Sequence, residues 1–292
     1  MSVDSQKWES REGVAPDDIE VRECTTIEEF DACVRMQREA FGLPDLELSP
    51  RRHLIVSRAA GGWVLGAFNG DALVGFVLHL AAVRGSEVIG YSHMMAVAKT
   101  FQNAGIGARL KWAQRARAVA EGRGFIRWTW DPMQARNAHF NLNRLGVVVR
   151  RYAANLYGTD YTTIAGEYGK EFGLDSDRLV AEWELLSPRV ERLARAGRQG
   201  QGSQQGSQTL ERGQMPGQGQ PSEPRVAPVV TVEIPPDWNA LLRRDAAAAR
   251  RELLRVRQEF EAAFAQRLVC AGFARDPAHP QYLFYRADSL DL

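Results

Sequence analysis

Several features that mark other protein classes are scarce or absent in this chain of 292 residues. Its three cysteines, Cys24, Cys33 and Cys270, are far apart and form no CxxC pair, so neither a zinc site nor a disulfide framework is indicated. No apolar run approaches the roughly 18 to 20 residues of a membrane-spanning helix. Residues 1–18 are polar and lack the basic-then-apolar order of a signal peptide. These absences predict a cytoplasmic protein with a flexible N-terminus at 1–18.

An excess of either charge is also missing, because 37 Lys and Arg stand against 36 Asp and Glu. Proteins that bind nucleic acids or membrane surfaces usually carry a strong basic bias. We therefore expect no nucleic-acid partner and no membrane partner. The 45% apolar and 25% charged content is ordinary for a globular protein with a sizeable core.

Hydrophobic patterns and turn residues predict a mixed order of strands and helices. Residues 19–23 alternate like an edge strand, and Thr26 is suited to cap a helix that ends at Gly42. The turn Asn69-Gly70-Asp71 separates two strand-like runs, and a third run at 87–97 completes three consecutive antiparallel strands. Later patterns predict helices at 106–121 and about 135–145, and strands at 124–129, 147–151 and 179–186.

The composition changes sharply at residues 197–225, where Gly and Gln mix with Ser and Pro and apolar residues almost disappear. Such a segment predicts a disordered linker. Beyond it we expect a strand at 229–234, a helix of about 30 residues from Asp237 to Cys270, and a strand at 281–286. The predicted organisation is a flexible segment at 1–18, a main domain at 19–196, a linker at 197–225 and a C-terminal segment at 226–292. An apolar stripe on the long helix favours its packing on the main domain; it comprises Leu242, Leu253, Val256, Phe260, Phe264 and Leu268.

The most informative motif is the turn at residues 102–107, Gln-Asn-Ala-Gly-Ile-Gly, between the third antiparallel strand and the next helix. Glycines let the backbone approach an anion, and the first amides of a helix point outward with the positive end of the macrodipole behind them. The turn therefore predicts an anion site, although two glycines can also simply begin a helix. Arg109 or Lys111 could add positive charge there, and a solvated helix face explains them equally well.

The order of elements, together with this turn, resembles the GCN5-related N-acetyltransferases (GNAT superfamily) over residues 19–187. The resemblance implies an α/β (α+β) fold with a mixed, mostly antiparallel sheet flanked by helices, to which the C-terminal strand-helix-strand segment adds an extension. It also implies acetyl-CoA or another acyl-CoA as cofactor. In that family the turn holds the pyrophosphate and the preceding strand holds the pantetheine arm. The implied cofactor positions are Val97, Gln102, Ala104, Gly105, Ile106, Gly107 and Ala108.

Residues 131–147 resemble a second block of the family, in which a helix ends in Leu-Gly-Phe. Here the helix ends in Leu145-Gly146-Val147, and the alignment places Leu142 where many members carry the tyrosine that protonates the departing thiolate. The block is most similar to a poorly characterised branch of the superfamily that also carries a C-terminal strand, long helix and strand.

Four residues are candidates for the proton transfers that acyl transfer to an amine requires. His93 lies in the third antiparallel strand and has an intrinsic pKa suited to a general base, although a lone strand histidine is often structural. Asp131 ends the next strand, where it could equally cap a turn. Tyr152 and Tyr157 could replace the missing acid, with packing or surface roles as the alternative.

Three amide side chains near the second block are candidates for binding the substrate, with solvent exposure as the alternative. They are Gln134, Asn137 and Asn141. The predicted function is an acetyl-CoA-dependent N-acyltransferase that acts on a small-molecule acceptor, a small amine or an amino-acid-like compound. Two alternatives stay open: a GNAT-fold protein that binds acyl-CoA without turnover, and an assembly protein that uses the C-terminal helix. We predict no metal site, and the oligomeric state, with a homodimer as one option, is left open.

Overall fold

The computed structural model describes residues 19–159, 173–202 and 227–291. The predicted flexible segment at 1–18 lies outside the described residues. Most of the predicted linker at 197–225 also lies outside them, since residues 203–226 are not described. Its first six residues, 197–202, are the end of a helix.

The described residues form ten strands. They are β1 (Ile19–Glu23), β2 (Trp63–Asn69), β3 (Ala72–Arg84), β4 (Glu87–Val97), β5 (Phe125–Trp130), β6 (Val148–Ala153), β7 (Arg178–Glu184), β8 (Val230–Glu233), β9 (Leu268–Ala274) and β10 (Gln281–Arg286). The α-helices of the same residues are α1 (Ile27–Phe41), α2 (Arg51–Ala59), α3 (Ile106–Ala120), α4 (Ala135–His139), α5 (Pro188–Gly202), α6 (Trp238–Arg244) and α7 (Ala246–Ala265). A π-helical turn, Phe140–Arg144, continues α4.

All ten strands join one sheet in the order β1-β2-β3-β4-β5-β7-β6-β9-β10-β8. Neighbouring strands are antiparallel except β4 and β5, which are parallel. The predicted fold class, a mixed and mostly antiparallel sheet flanked by helices, is therefore confirmed.

Helices cover both faces of the first half of the sheet. The front face carries α1 and α2, whose Phe30 and Leu54 pack against Leu78 of β3. The back face carries α3, whose Leu110 packs against Val77 of β3. Alternation along each strand therefore decides which side chains face α1 and α2 and which face α3.

Strands β4 and β5 separate after a very short contact. Their only paired residues are Gly90 with Ile126 and Tyr91 with Arg127. Beyond this point β4 continues its ladder with β3 and β5 continues its ladder with β7. Beyond these pairs the two parallel strands are not bonded to each other, and the N-terminus of α3 follows the end of β4; this unpaired region is called the opening below.

The C-terminal segment extends the sheet, and its helix is shorter than expected. Asp245 breaks the predicted 30-residue helix and caps α7 by accepting a hydrogen bond from the amide of Ala248 at 2.8 Å. Arg267, at φ 59°, ends the helical region, and residues 268–274 form β9 instead. The expectation of helix to Cys270 was wrong because a short apolar run does not by itself distinguish a buried strand from a helix.

Side chains from both parts of the chain share one core. Trp130, Leu142 and Trp183 of the main domain belong to the same buried cluster as Phe260 and Phe284 of the C-terminal segment. The Asn143 amide group also bonds the backbone of Phe273 in β9 twice, each time at 3.0 Å. Core packing and hydrogen bonds therefore both join the segment to the main domain.

Two of the cysteines that are far apart in sequence meet in the fold. Cys24 and Cys33 are buried in the front cluster as free thiols, and a hydrogen bond between them together with burial raises the pKa of Cys33. Cys270 is free and buried in β9. In the described residues no group of three or more His, Cys, Asp or Glu could hold a metal ion, and no helix is long and apolar enough to cross a bilayer.

Candidate functional site

The turn after β4 is a concave run of backbone amides at the start of α3. Asn103 and Gly105 both have left-handed backbones, with φ 67° and 78°. In the described part of the chain, none of the amides of residues 103–107 donates a hydrogen bond. Gly105 begins α3 without a side-chain cap, so these amides and the helix dipole face the same space.

Open space and positive charge accompany these amides. A Cβ atom added at Gly105 would meet no atom within 4 Å, and one at Gly107 would approach only Met95, at 3.6 Å. Arg136 of α4 reaches across and donates to Asn103 Oδ1 at 3.2 Å and to Gln102 Oε1 at 3.4 Å. No acidic residue occurs between Val88 and Ala120. The residues present therefore fit a phosphorylated ligand.

The other predicted cofactor positions surround this turn. The Val97 carbonyl accepts a hydrogen bond from Gln102 Nε2 at 3.3 Å, which holds the end of β4 to the turn. Ile106 is buried under the sheet, so only its amide faces the opening. The Ala108 amide is already bonded to the Gly105 carbonyl at 3.0 Å.

The two cations considered beside the turn have other contacts. Arg109 donates to the carbonyl of Ile19 on β1. Lys111 is 3% exposed in the core, where its Nζ contacts Ser92 and Gln114. Lys111 therefore lies neither on a solvated helix face nor beside the turn.

A pair of histidines lies at the opening between β4 and β5. His93 is the extra residue of a β-bulge, because Ser92 pairs with His79 and Met94 pairs with Leu78. Its ring lies edge-on to the ring of His53, with centroids 6.0 Å apart. Surrounding protein atoms and the nearby His53 lower the pKa of His93, which favours the neutral imidazole. The sequence analysis did not identify His53, because the residue that precedes α2 is Pro50, whose side chain makes no capping hydrogen bond that would signal a helix.

Three hydroxyl groups lie beside this pair on the front face. Tyr157 approaches Thr129 of β5, with 3.3 Å between their hydroxyl oxygens. Tyr91 of β4 contacts both groups, and burial together with Tyr157 raises its pKa. The structure thus brings the predicted Tyr157 to the opening. The sequence offered a signal for Tyr91, which lies two residues before His93 in the same strand.

Tyr152 and Asp131 belong to a different network, which includes the C-terminal segment. The Tyr152 hydroxyl donates to Asp177 at 2.6 Å, and burial and this carboxylate raise its pKa. Arg257 of α7 binds the same carboxylate at 2.7 Å. Asp131 accepts from the Met133 amide at 2.8 Å, and desolvation raises its pKa. Neither residue contacts His93 among the described residues.

The predicted substrate-binding amides are distributed along α4 and the π-helical turn. Gln134 precedes α4 and donates to Asp131 at 3.3 Å. Asn137 is half-buried in α4, whereas Asn141 is buried in the π-helical turn. Leu142 follows at 0% exposure inside the core, so the position aligned with the usual tyrosine carries no acid. Trp128 and Trp130 are core residues as well.

A family model matches part of this chain, over most of the residues that form the site. Residues 28–146 match the model of the acetyltransferase (GNAT) family. These residues form a GNAT acetyltransferase domain. Acyl transfer from acetyl-CoA is general in that family. The matched range of this GNAT domain includes the glycine turn, the opening between β4 and β5, and both histidines.

Solved structures resemble the GNAT domain at low identity. The ribosomal-protein-S18-alanine N-acetyltransferase from Escherichia coli is 11% identical, with a TM-score of 0.45 over 57% of this chain and 94% of that chain. A GNAT family acetyltransferase from Elizabethkingia anophelis, solved with acetyl-CoA bound, is 18% identical, with a TM-score of 0.43 over 57% and 99% of the two chains. A comparison with curated proteins finds no match.

Proposed function

We propose that this protein is an acetyl-CoA-dependent N-acyltransferase that acts on a small amine by direct acyl transfer. The observation that carries the proposal is the opening between β4 and β5, which has unbonded amides at one end and His93 with His53 at its edge. A cofactor site and a proton acceptor at one opening are what acyl transfer to an amine requires.

The binding step relies on backbone and on one side chain. The amides of residues 103–107, with Arg136 beside them, would hold the pyrophosphate of the cofactor. Beyond Tyr91, the edge of β4 that faces β5 pairs with no other described strand, so its backbone groups are available to the pantetheine arm. When bound, acetyl-CoA supplies an acyl group activated as a thioester.

The proton steps follow from the side chains at the opening. An alkyl amine is protonated at neutral pH and must lose a proton before it can attack a thioester carbonyl. His93 is the base, because its lowered pKa leaves the imidazole neutral and able to accept that proton. As the amine forms its bond to the acyl carbon, the carbon–sulfur bond would break, and Tyr157 would protonate the departing thiolate. Its hydroxyl lies in the group formed with Tyr91 and Thr129.

Calorimetry with acetyl-CoA, followed by an assay of thiol release across a panel of amines, tests the proposal. His93→Gln should lower kcat at least about 100-fold, in the range of a lost general base, and should leave acetyl-CoA affinity unchanged. It should also remove an acidic limb of the kcat profile with a midpoint below pH 6.5. His279→Gln is the matched control, because that histidine is 65% exposed and pairs with Glu233. Full activity in His93→Gln would refute its role as the base.

A second function is favoured by one observation. Leu142 is fully buried where many family members carry the acid, which is consistent with an acyl-CoA-binding protein without turnover. Acetyl-CoA binding without thiol release on any amine would support that function, whereas absence of binding at millimolar acetyl-CoA would reject both.

A further inference from the structure

Arg127 lies beside the opening with an unsatisfied hydrogen-bond donor. It is opposite Tyr91 at the last pair between β4 and β5, so it lies on the front face with Thr129. Its Nε is buried and has no hydrogen-bond partner, and among the described residues its guanidinium forms no ion pair. The central carbon of its guanidinium lies 5.7 Å from the centre of the Phe125 ring.

A carboxylate is available in the sheet and is engaged elsewhere. Glu182 of β7 is the direct cross-strand neighbour of Arg127. Glu182 instead pairs with Arg150 of β6, which also approaches Glu184 at 3.5 Å. Arg150 therefore has two carboxylates close by, whereas the partly buried Arg127 has neither. Leaving a buried donor unpaired costs free energy, which an incoming anion would recover.

The surroundings of Arg127 suit a carboxylate. Tyr91 lies opposite Arg127 on β4, and Thr129 lies two residues beyond it on the same face of β5. These hydroxyls can donate hydrogen bonds, and a guanidinium fork matches the two oxygens of a carboxylate. Two residues along β4 from Tyr91, about 7 Å at the usual strand rise, is His93. That separation suits a small molecule with an acid and an amine close together.

We propose that Arg127, with the hydroxyls of Tyr91 and Thr129, binds a carboxylate of the acceptor and places its amine beside His93. The acceptor is then a small amine that carries a carboxylate, as an amino acid does. This inference rests on the proposed function, since it defines the acceptor of the same reaction.

The test compares amines that differ only in charge. Thiol release from acetyl-CoA is measured with common α-amino acids and longer ω-amino acids, each beside its primary carboxamide, and with phosphoethanolamine. The wild-type protein should prefer the carboxylate member by about 10-fold or more in kcat/KM, the range of a charge-assisted hydrogen bond. Arg127→Gln should remove this preference by slowing only the carboxylate substrate, and Arg127→Lys should retain part of it. Arg195→Gln, in an exposed pair with Glu191, is the control and should change neither rate.

Several results would overturn the inference. Equal rates with acid and carboxamide would do so, as would an equal loss of both in Arg127→Gln. Thiol release with neutral amines alone would count against a carboxylate site. A preference for phosphoethanolamine over the carboxylates, or no thiol release with any amine that carries a carboxylate, would do the same. Calorimetry with acetyl-CoA, read together with thiol release from the neutral amines, separates these failures from failure of the proposed function. Failure of the proposed function would abolish either cofactor binding or thiol release with every amine, charged or neutral.

Discussion

Lys111 should make the folding stability of this protein depend on pH in the alkaline range. Its ammonium group donates to Ser92 Oγ at 2.8 Å and to Gln114 Oε1 at 3.0 Å, and it lies 3.7 Å from the centre of the Trp128 ring. No carboxylate pairs with it among the described residues. A desolvated cation over an aromatic ring gains about 2 kcal/mol, whereas burying an ion costs several. Desolvation is therefore the larger effect, and it lowers the pKa of Lys111 well below 10.5.

The sign and size of the effect follow from proton linkage. In the unfolded chain a lysine has a pKa of about 10.4. Between the lowered folded pKa and this value, the unfolded chain binds one more proton than the folded chain. Within that interval the free energy of unfolding therefore rises with pH by up to about 1.4 kcal/mol per pH unit. Below the folded pKa the penalty is constant, and above the unfolded pKa it is absent.

Urea unfolding of the wild-type protein and Lys111→Met at several pH values and one ionic strength measures this effect. Met keeps the length of the side chain over Trp128 and removes the titrating group. The difference in unfolding free energy between the two proteins should change with pH along the slope given above. Lys99→Met, at an exposed lysine, is the control, and its unfolding free energy should differ from that of the wild type by the same amount at every pH. A difference between wild type and Lys111→Met that is constant from pH 7 to 10 would refute the reasoning, since the ammonium would then stay charged in the core.

Two further pairs of variants test the glycine turn at 102–107 and the buried ion pair between Arg257 and Asp177. Gly105→Ala should cost about 1 to 2 kcal/mol of stability, because its φ of 78° is left-handed, whereas Gly107→Ala should leave the fold intact. Both should weaken acetyl-CoA binding in calorimetry by crowding the amides, and unchanged affinity in both would contradict the turn as the pyrophosphate site. Arg257→Met leaves the Asp177 carboxylate, 0% exposed, without its cation and should cost about 3 to 5 kcal/mol in urea unfolding. Arg255→Met, in half-exposed pairs on the same helix, should cost about 1 kcal/mol or less, and equal losses would contradict the reasoning.

Local signals allowed the prediction of most of the main domain. Asn69-Gly70-Asp71 predicted the hairpin of β2 and β3, and Thr26 predicted the start of α1, where its side chain accepts from the Glu29 amide. The glycine turn after β4 predicted unbonded amides at a helix N-terminus. Each of these features depends on neighbouring residues and on backbone preferences at one or two positions. The missed elements α2 and β9 lack such a signal, whereas the missed helix α5 begins with the cap residue Ser187 followed by Pro188.

The side chains around the opening depend on contacts that no local pattern encodes. His53 meets His93 only because α2 packs on the front face, and Lys111 is buried because its turn of α3 faces Trp128. Among the described residues Arg127 has no carboxylate partner, because a third strand places Arg150 against its neighbour Glu182. The sequence by itself determined the glycine turn, the order of the main elements and the absence of tyrosine at position 142. The tertiary structure decided which histidine, hydroxyl and guanidinium groups surround the opening, because those groups come from segments far apart in the chain and meet only through sheet register and helix packing.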